Sequence, residues 1–367
     1  MTCTMTSACL LVAQWKQADQ INDHKVFRPQ LLSCWSKSSS SHPETPGVFS
    51  LGRTQGLSYF SQPQLPSDLN AGYPNSFARK DDQRGSPVEQ VIAGMQFAAQ
   101  QAPLIKPGIV SYRNNLNKIL GTLVSPRDAW VVDACMYDGT LYLHIHKTPE
   151  TSFPDADRFQ YFGYKFESLC TGGGNTEQQP PVVDSTSEFA IIVQVGLGVH
   201  RIVLAAEVDS ADPPQSTQGL AEAPEGLPVL TSCLELKTYK PPHTQGQIAT
   251  LYNLKWPKWW IQSFLAGVET IVLGGRDDAG MLTEVTRISV HTMPAVAAAH
   301  GARWDAWQIL RFGESVLDWM VEHGHAQPHK HLRFSYQPRV DAIDCQLIEQ
   351  GEGLLPDRLH AVLGPKH

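Results

Sequence analysis

The sequence has no apolar run approaching the roughly 18 residues needed to cross a bilayer, so a membrane is not among the expected partners. It has no basic leader either. "MTCTMTSACLLVAQWK" carries a short apolar patch without a positive n-region, and no secretory signal peptide is expected. The seven cysteines, at 3, 9, 34, 135, 170, 233 and 345, are odd in number and never spaced CxxC. That spacing argues against a disulfide framework and a zinc ribbon. The expected compartment is reducing: nuclear, cytoplasmic or both, and not secreted. A surplus of positive charge is missing as well. At a formal net charge of −7, the 367 residues have no overall basic field, so nucleic acid must be held by a local cluster or through metal ions.

Several familiar motifs are also absent. The glycine run at 172–174 has no Gly-Lys-Ser/Thr after it, which makes it a linker rather than a P-loop. "EHGHAQPHKH" holds His323, His325, His329 and His331 without HExxH spacing, and fits a polar surface loop better than a transition-metal site. Cys34 and Cys233 show no sign of triad partners.

What is present is a globular composition, 42% hydrophobic and 18% charged, with nine tryptophans to fill a core. Residues 1–26 read as a mobile tail and 27–367 as one main domain, with polar loops at about 36–47 and 61–87. Helical spacing marks 87–101, 111–123, 155–170 and 304–324, and "PKWWIQSFLAGV" has Pro257 in its first turn. "AWVVDACMYDGTLYLHIHK" predicts a hairpin turning at Asp138-Gly139. Strands are expected in "EFAIIVQV", "HRIVLAAEVD", "VLTSCLELKTY", "ETIVLGGRD" and "LRFSYQP". Mixing without strict βαβ alternation gives an α+β class.

Two of those strands end oddly. Side chains alternate across a strand, so Glu207 and Asp209 share one face of "HRIVLAAEVD", and Glu235 and Lys237 share one face of "VLTSCLELKTY". If the two strands are neighbours, three carboxylates and an ammonium converge at one sheet edge. Crowded carboxylates repel unless a cation lies between them, and a hard divalent cation takes oxygen ligands. A lysine beside them can orient water and offset developing charge. Two amphipathic strand ends with surface salt bridges would read the same way. Other candidates are Glu167 in "FGYKFE", Arg113 in "SYRNNLNKIL", and Lys258 with Gln262, four apart on one helix face.

In order along the chain, "SYRNNLNKIL", "FGYKFE", "AEVDSADP", "LELKT" and "KWWIQSFLAGVETIVLGGRD" resemble the decapping exoribonuclease (DXO) family and its fungal nuclear relatives. "FRPQLLSCWS" at 27–36 adds a weaker match, and the resemblance spans roughly 27–340. It implies two twisted mixed β-sheets flanked by helices, with the active-site pocket between them and a PD-(D/E)xK-like metal site. It implies that Glu167, Glu207, Asp209, Glu235 and the Leu236 carbonyl hold one or two Mg²⁺ or Mn²⁺ ions. Lys237 and Gln262 would contact the scissile phosphate, while Arg113 and Arg28 would hold substrate phosphates. The implied substrates are RNA 5′ ends carrying triphosphate, cap or NAD, and one implied partner is a 5′→3′ exoribonuclease. Ala205-Ala206 before Glu207, and Ala190, depart from the usual pattern. The residues also predict that removing either Asp209 or Glu235 relieves repulsion and spares the fold.

Overall fold

The computed structural model describes residues 8–12, 26–37, 49–78, 88–146, 155–172, 182–214, 226–349 and 354–364. The first strands are β1 (Ala8–Leu11), β2 (Val26–Lys37), β3 (Phe49–Leu51), β4 (Ser67–Asp68) and β5 (Phe77–Ala78). Helix α1 (Val88–Gln101) leads to β6 (Ile109–Tyr112), α2 (Arg113–Gly121), and the hairpin β7 (Trp130–Tyr137) and β8 (Thr140–His146). Next come α3 (Ala156–Cys170), β9 (Val183–Asp184), β10 (Glu188–Leu197), β11 (His200–Glu207), β12 (Ser210–Ala211) and β13 (Cys233–Tyr239). The short α4 (Gln245–Thr250) continues through a π-helical turn, Leu251–Lys255, into α5 (Trp256–Ala266). The chain then forms β14 (Thr270–Arg276), β15 (Met281–Ser289), α6 (Met293–Ala299) and α7 (Ala306–Ala326). It ends with β16 (His331–Gln337), β17 (Ala342–Ile348) and α8 (Leu355–Leu363).

Among the described residues the strands form two main sheets and a two-stranded one, β5-β9. The larger has ten strands in the order β1-β17-β16-β7-β8-β6-β11-β10-β2-β3; the smaller has five, β12-β13-β14-β15-β4. Both are mixed: β6 runs parallel to β8 and β11, and β13 runs parallel to β14, while the other pairs are antiparallel. The expected α+β architecture of two mixed sheets with helices is what the chain adopts.

Runs such as "AIIVQV" in β10 are apolar on both sides of the pleat because both faces are covered. One face (Ile191, Val193 and Val195, with Ile202 and Leu204 of β11) joins α2, α5 and α7 in the main core. The other (Ala190, Ile192, Val203, Ala205) packs under α1 and α8. A third cluster lies between α3 and the smaller sheet, where Phe162 and Phe166 meet Leu234, Leu236 and Val272. Gly274 makes that approach possible, since a Cβ there would fall 2.6 Å from the Phe166 ring.

Several expectations need correction. Residues Ala8–Leu11, assigned to a tail, pair antiparallel with β17 from Ala8↔Cys345 to Leu11↔Ala342. The 36–47 loop begins later, because Ser36 and Lys37 are still paired in β2; 38–47 lie outside the described residues. Within 61–87 the chain is not all polar loop: Leu69 is fully buried, and 79–87 lie outside the described residues. Of the glycine run, 173–174 also lie outside them. The strand expected from Val229 starts only at Cys233, as β13, after a 3₁₀ turn over Leu230–Ser232. The histidine run is divided by the end of α7. His325 and His329 are exposed, whereas His331 is buried on β16 beside Asp133, 3.3 Å from its Oδ2.

Candidate active site

The strands that carry Glu207 and Glu235 are not neighbours. β11 belongs to the ten-stranded sheet and β13 to the five-stranded one. Val208 still bonds to the larger sheet, its N–H donating to Phe189 O at 2.9 Å, while Ser210 already pairs with Leu234. Asp209 alone spans the change of sheet. The acids therefore meet in the cleft between two sheets, not along one edge.

Parallel pairing brings the other groups to the same place. Tyr112 at the end of β6 lies level with Ala205 of β11, so Arg113, the next residue and the first of α2, emerges beside Glu207 at the carboxyl ends of parallel strands. From the opposite side α5 offers Gln262 and α3 offers Glu167. α5 is started by Pro257 and closed by Gly267, whose left-handed φ of 73° and close approach to Pro29 suit glycine.

Glu235, 1% exposed, is the centre of the hydrogen bonding. Arg113 Nη1 donates to its Oε2 at 3.0 Å, and Lys237 Nζ and Gln262 Nε2 both donate to its Oε1. Lys237 Nζ also lies 3.7 Å from Asp209 Oδ2, which accepts the Leu236 backbone N–H at 2.7 Å. The N–H and C=O of one strand residue leave toward the same side. The Leu236 carbonyl therefore faces Asp209 as well, at a level where β12 has already ended.

The electrostatics separate the acids. Burial pushes Asp209 upward, the Glu235 charge adds to it, and its carboxyl rises to about 6. Burial and then Asp209 hold Glu167 well above the usual carboxylate range. Burial also acts on Glu235, but Lys237 and Arg113 outweigh it and hold that carboxyl low. Burial disfavours the Lys237 charge, yet Glu235 and Asp209 raise it above the ordinary lysine value.

Among the described residues no three Asp, Glu, His or Cys side chains already form a closed ligand shell, and Glu235 is turned toward its cations. The donors nonetheless fit a hard cation. Glu167, Glu207, Asp209 and the Leu236 carbonyl are all oxygen ligands, and a dication between Glu167 and Asp209 would offset the repulsion that raises both. Thiol chemistry does not compete. Burial pushes Cys34 and Cys233 up to about 12, leaving both protonated at neutral pH.

Arg28 is not part of this site. It is exposed at the far end of β2, next to the Phe27↔Gly196 pair, whereas Trp35 is level with Ala190 and Glu207. That places Arg28 roughly 20 Å away along an extended strand, and its expected phosphate contact is withdrawn.

Two cavities flank the centre. One, of about 230 Å³, is lined by Glu167, Glu207 and Asp209 together with Tyr164, Asp184 and Glu188. The other, of about 200 Å³, holds Gln262 and Lys258 with Asn114, Asn117 and Lys118. Lys258 and Gln262 share this cavity as their four-residue spacing suggests, and Lys258 is paired with Asp128 at 2.7 Å. Tyr164 and Asn114 lie within "FGYKFE" and "SYRNNLNKIL", but nothing in their own spacing marks them.

Residues 27–360 match the profile of the RAI1-like PD-(D/E)XK nuclease family. The human decapping and exoribonuclease protein is 29% identical over 275 residues, covering 70% of this chain and 65% of its own length. The decapping nuclease RAI1 of Gibberella zeae is 25% identical over 374 residues, covering 93% of this chain and 94% of its own. Among solved structures, Candida albicans Rai1 in complex with pU5-Mn²⁺ superposes with a TM-score of 0.78 at 19% identity, covering 97% of this chain and 95% of that one. S. pombe Rai1 in complex with 3′-FADP gives 0.75 at 23%, covering 94% and 100%. The profile takes in every element that carries an acid, the lysine and the glutamine, and the chain belongs to the RAI1-like PD-(D/E)XK nucleases, a family of metal-dependent enzymes.

Proposed function

We propose that this chain is a hydrolase of RNA 5′ ends that works with Mg²⁺ or Mn²⁺. The observation that carries the proposal is the gathering of Glu167 from α3, Glu207 from the end of β11, Asp209 from the link after it and Glu235 from β13 at one site with Lys237. The similar Candida albicans protein bound to pU5 and Mn²⁺ supports both the substrate class and the cation.

When bound, the cation supplies Lewis acidity toward phosphoryl oxygens and charge to offset the leaving oxygen. Glu167, Glu207, Asp209, Glu235 and the Leu236 carbonyl would hold it. Lys237 and Gln262, both now on Glu235 Oε1, would contact the scissile phosphate. A fixed ammonium there offsets charge that builds on the phosphoryl oxygens. Arg113, held by Glu235 on one side, offers its remaining guanidinium donors to substrate phosphate.

The reaction classes this site suits are pyrophosphate release from 5′-triphosphate RNA, removal of incomplete guanosine caps as the cap dinucleotide, and removal of NAD. A 5′→3′ exonuclease activity, a nuclear or cytoplasmic location and an exoribonuclease partner belong to the same proposal. A purely non-catalytic stabilising partner is the alternative, and it gives no chemical reason for four acids around a lysine. The test is product analysis with 5′-labelled RNAs bearing triphosphate, cap, NAD or monophosphate, in Mn²⁺, Mg²⁺ or EDTA. Metal-dependent release of pyrophosphate, cap dinucleotide or NAD supports the enzyme. No release from any of them, with metal binding intact, leaves the scaffold.

A further inference from the structure

The chain carries a net charge of −7, yet one corner of it gathers cations. β13 and β14 run parallel, with Tyr239 level with Gly275, so the residues that follow, Lys240 and Arg276, emerge together at the carboxyl ends. Lys240 and Lys255 line one cavity of about 330 Å³ with Thr244, Gln247 and Thr250. Arg276 lies over the rings of Phe159 and Phe162 at 4.9 and 5.1 Å, and Arg158 lies over Phe162 at 5.3 Å. Stacking on rings fixes both guanidinium planes without neutralising them.

These charges are poorly answered. Lys240 pairs with Asp278 at 2.5 Å, but Asp278 is 84% exposed, and Arg276 Nη1 reaches only the Asp277 backbone oxygen at 3.1 Å. Lys255 has no acidic partner among the described residues. Desolvation and then the Arg276 charge lower its ammonium; desolvation also lowers Arg276, against the opposing charge of Asp278, with Arg158 adding to the lowering and Asp277 opposing it. Lys240, Lys255, Arg276 and Arg158 together outnumber the exposed Asp277 and Asp278 beside them, which leaves positive charge for an anion.

The position says which anion. β13 carries Glu235 and Lys237 and then reaches Lys240, roughly 10 Å further on along an extended strand. Along that stretch no described strand pairs with one edge of β13, because β12 pairs only as far as Leu234. A single strand lying across the acids would meet the cations next. We propose that Lys240, Lys255 and Arg276 form a phosphodiester-backbone site that holds the RNA chain beyond the scissile phosphate. This rests on the RNA 5′-end reading above and adds to it where the rest of the substrate goes.

The test is fluorescence anisotropy of a 5′-phosphorylated 12-nucleotide RNA with Ca²⁺ present, across about 50–300 mM salt. Wild type is compared with the Lys240→Gln/Lys255→Gln double variant and with Lys330→Gln, a change at an exposed turn on another part of the surface. Each phosphate neutralised on a single strand contributes about 0.7 to the salt slope. The double variant should therefore lose about 1.4 from the slope and roughly tenfold in affinity at 100 mM salt, with Lys330→Gln unchanged. Equal slopes and affinities in wild type and double variant would overturn the site. If inorganic pyrophosphate lost affinity as much as the oligonucleotide, the cluster would be a small-anion pocket and the backbone assignment wrong. Binding is read without turnover. A protein that hydrolyses no RNA 5′ end but still shows the difference would sink the hydrolase reading and leave this site standing.

Discussion

Leu236 donates its backbone N–H to Asp209 Oδ2 at 2.7 Å, joining the strand that carries Glu235 to the residue that crosses between sheets. Asp209 thus has a fixed orientation but no firm cation, since Lys237 stands 3.7 Å from it and is committed to Glu235. The two acids of the site are consequently not equivalent, contrary to what their spacing in the sequence suggests.

Glu235→Ala strands Arg113 and Lys237 in a buried place and should cost about 3 kcal/mol. Asp209→Ala gives up one backbone hydrogen bond but relieves repulsion, and its net effect should stay within about 1 kcal/mol. Both should lower hydrolysis by a factor of at least about 100. Urea unfolding in EDTA checks the stability half, and equal losses for the two variants would contradict the charge arrangement described.

Metal-induced stabilisation should depend on pH. A carboxyl raised from 3.8 to about 6 by folding, as in Asp209, stabilises the fold below the unfolded value and loses that contribution as pH rises through about 6. A dication restores it by favouring the ionised form, so cation binding below about 6 must first displace protons. The Tm gained on exchanging EDTA for Mn²⁺ should be clearly larger at pH 7.5 than at pH 5. Equal gains at both would place the ions elsewhere.

Arg358 clamps α8 to α1 through Glu89, at 2.7 and 2.8 Å, and donates to His144 Nε2 at 3.2 Å. Arg358→Gln should cost roughly 1–2 kcal/mol and hasten proteolysis at the C-terminal helix. Burial first, and then the Arg358 charge, lower His144 from 6.5 to about 4, so its contribution to stability is full above 6.5 and lost as pH falls toward 4. Removing the Arg358 charge lets His144 accept a proton more readily in the fold. The variant's stability should fall less steeply between pH 6.5 and 4, which urea midpoints at several pH values will show.

Deleting residues 1–12 removes β1 and exposes the edge of β17, which carries Ile343, Cys345 and Leu347. An uncovered apolar edge recruits other strands. Light scattering during incubation at about 37 °C should show faster association of the truncated protein, and a monodisperse sample would argue that β1 gives no protection.

Much of this was legible in the sequence for local reasons. Pro257 and Gly267 bracket α5, Asp138-Gly139 turns the hairpin, and Glu207, Asp209, Glu235 and Lys237 announce themselves by placing charge in apolar strands. What stayed hidden is non-local. A period of two tells which residues share a face but not which strand lies alongside, so β11 and β13 looked like neighbours although they belong to different sheets. Arg28 looked like a phosphate ligand until the register of β2 against β10 placed it at the wrong end. His331 looked like a loop residue because its partner, Asp133, lies on a strand distant in sequence.

The change of sheet at Asp209 leaves the chain no slack. Val208 is tethered to Phe189 on one side and Ser210 is registered against Leu234 on the other, with a single residue between. Inserting or deleting one residue there would force a choice between keeping both tethers and keeping the carboxylate aimed at Lys237. The Glu-Val-Asp spacing is therefore a mechanical tolerance of one residue, set by the seam between the sheets before any chemistry is considered.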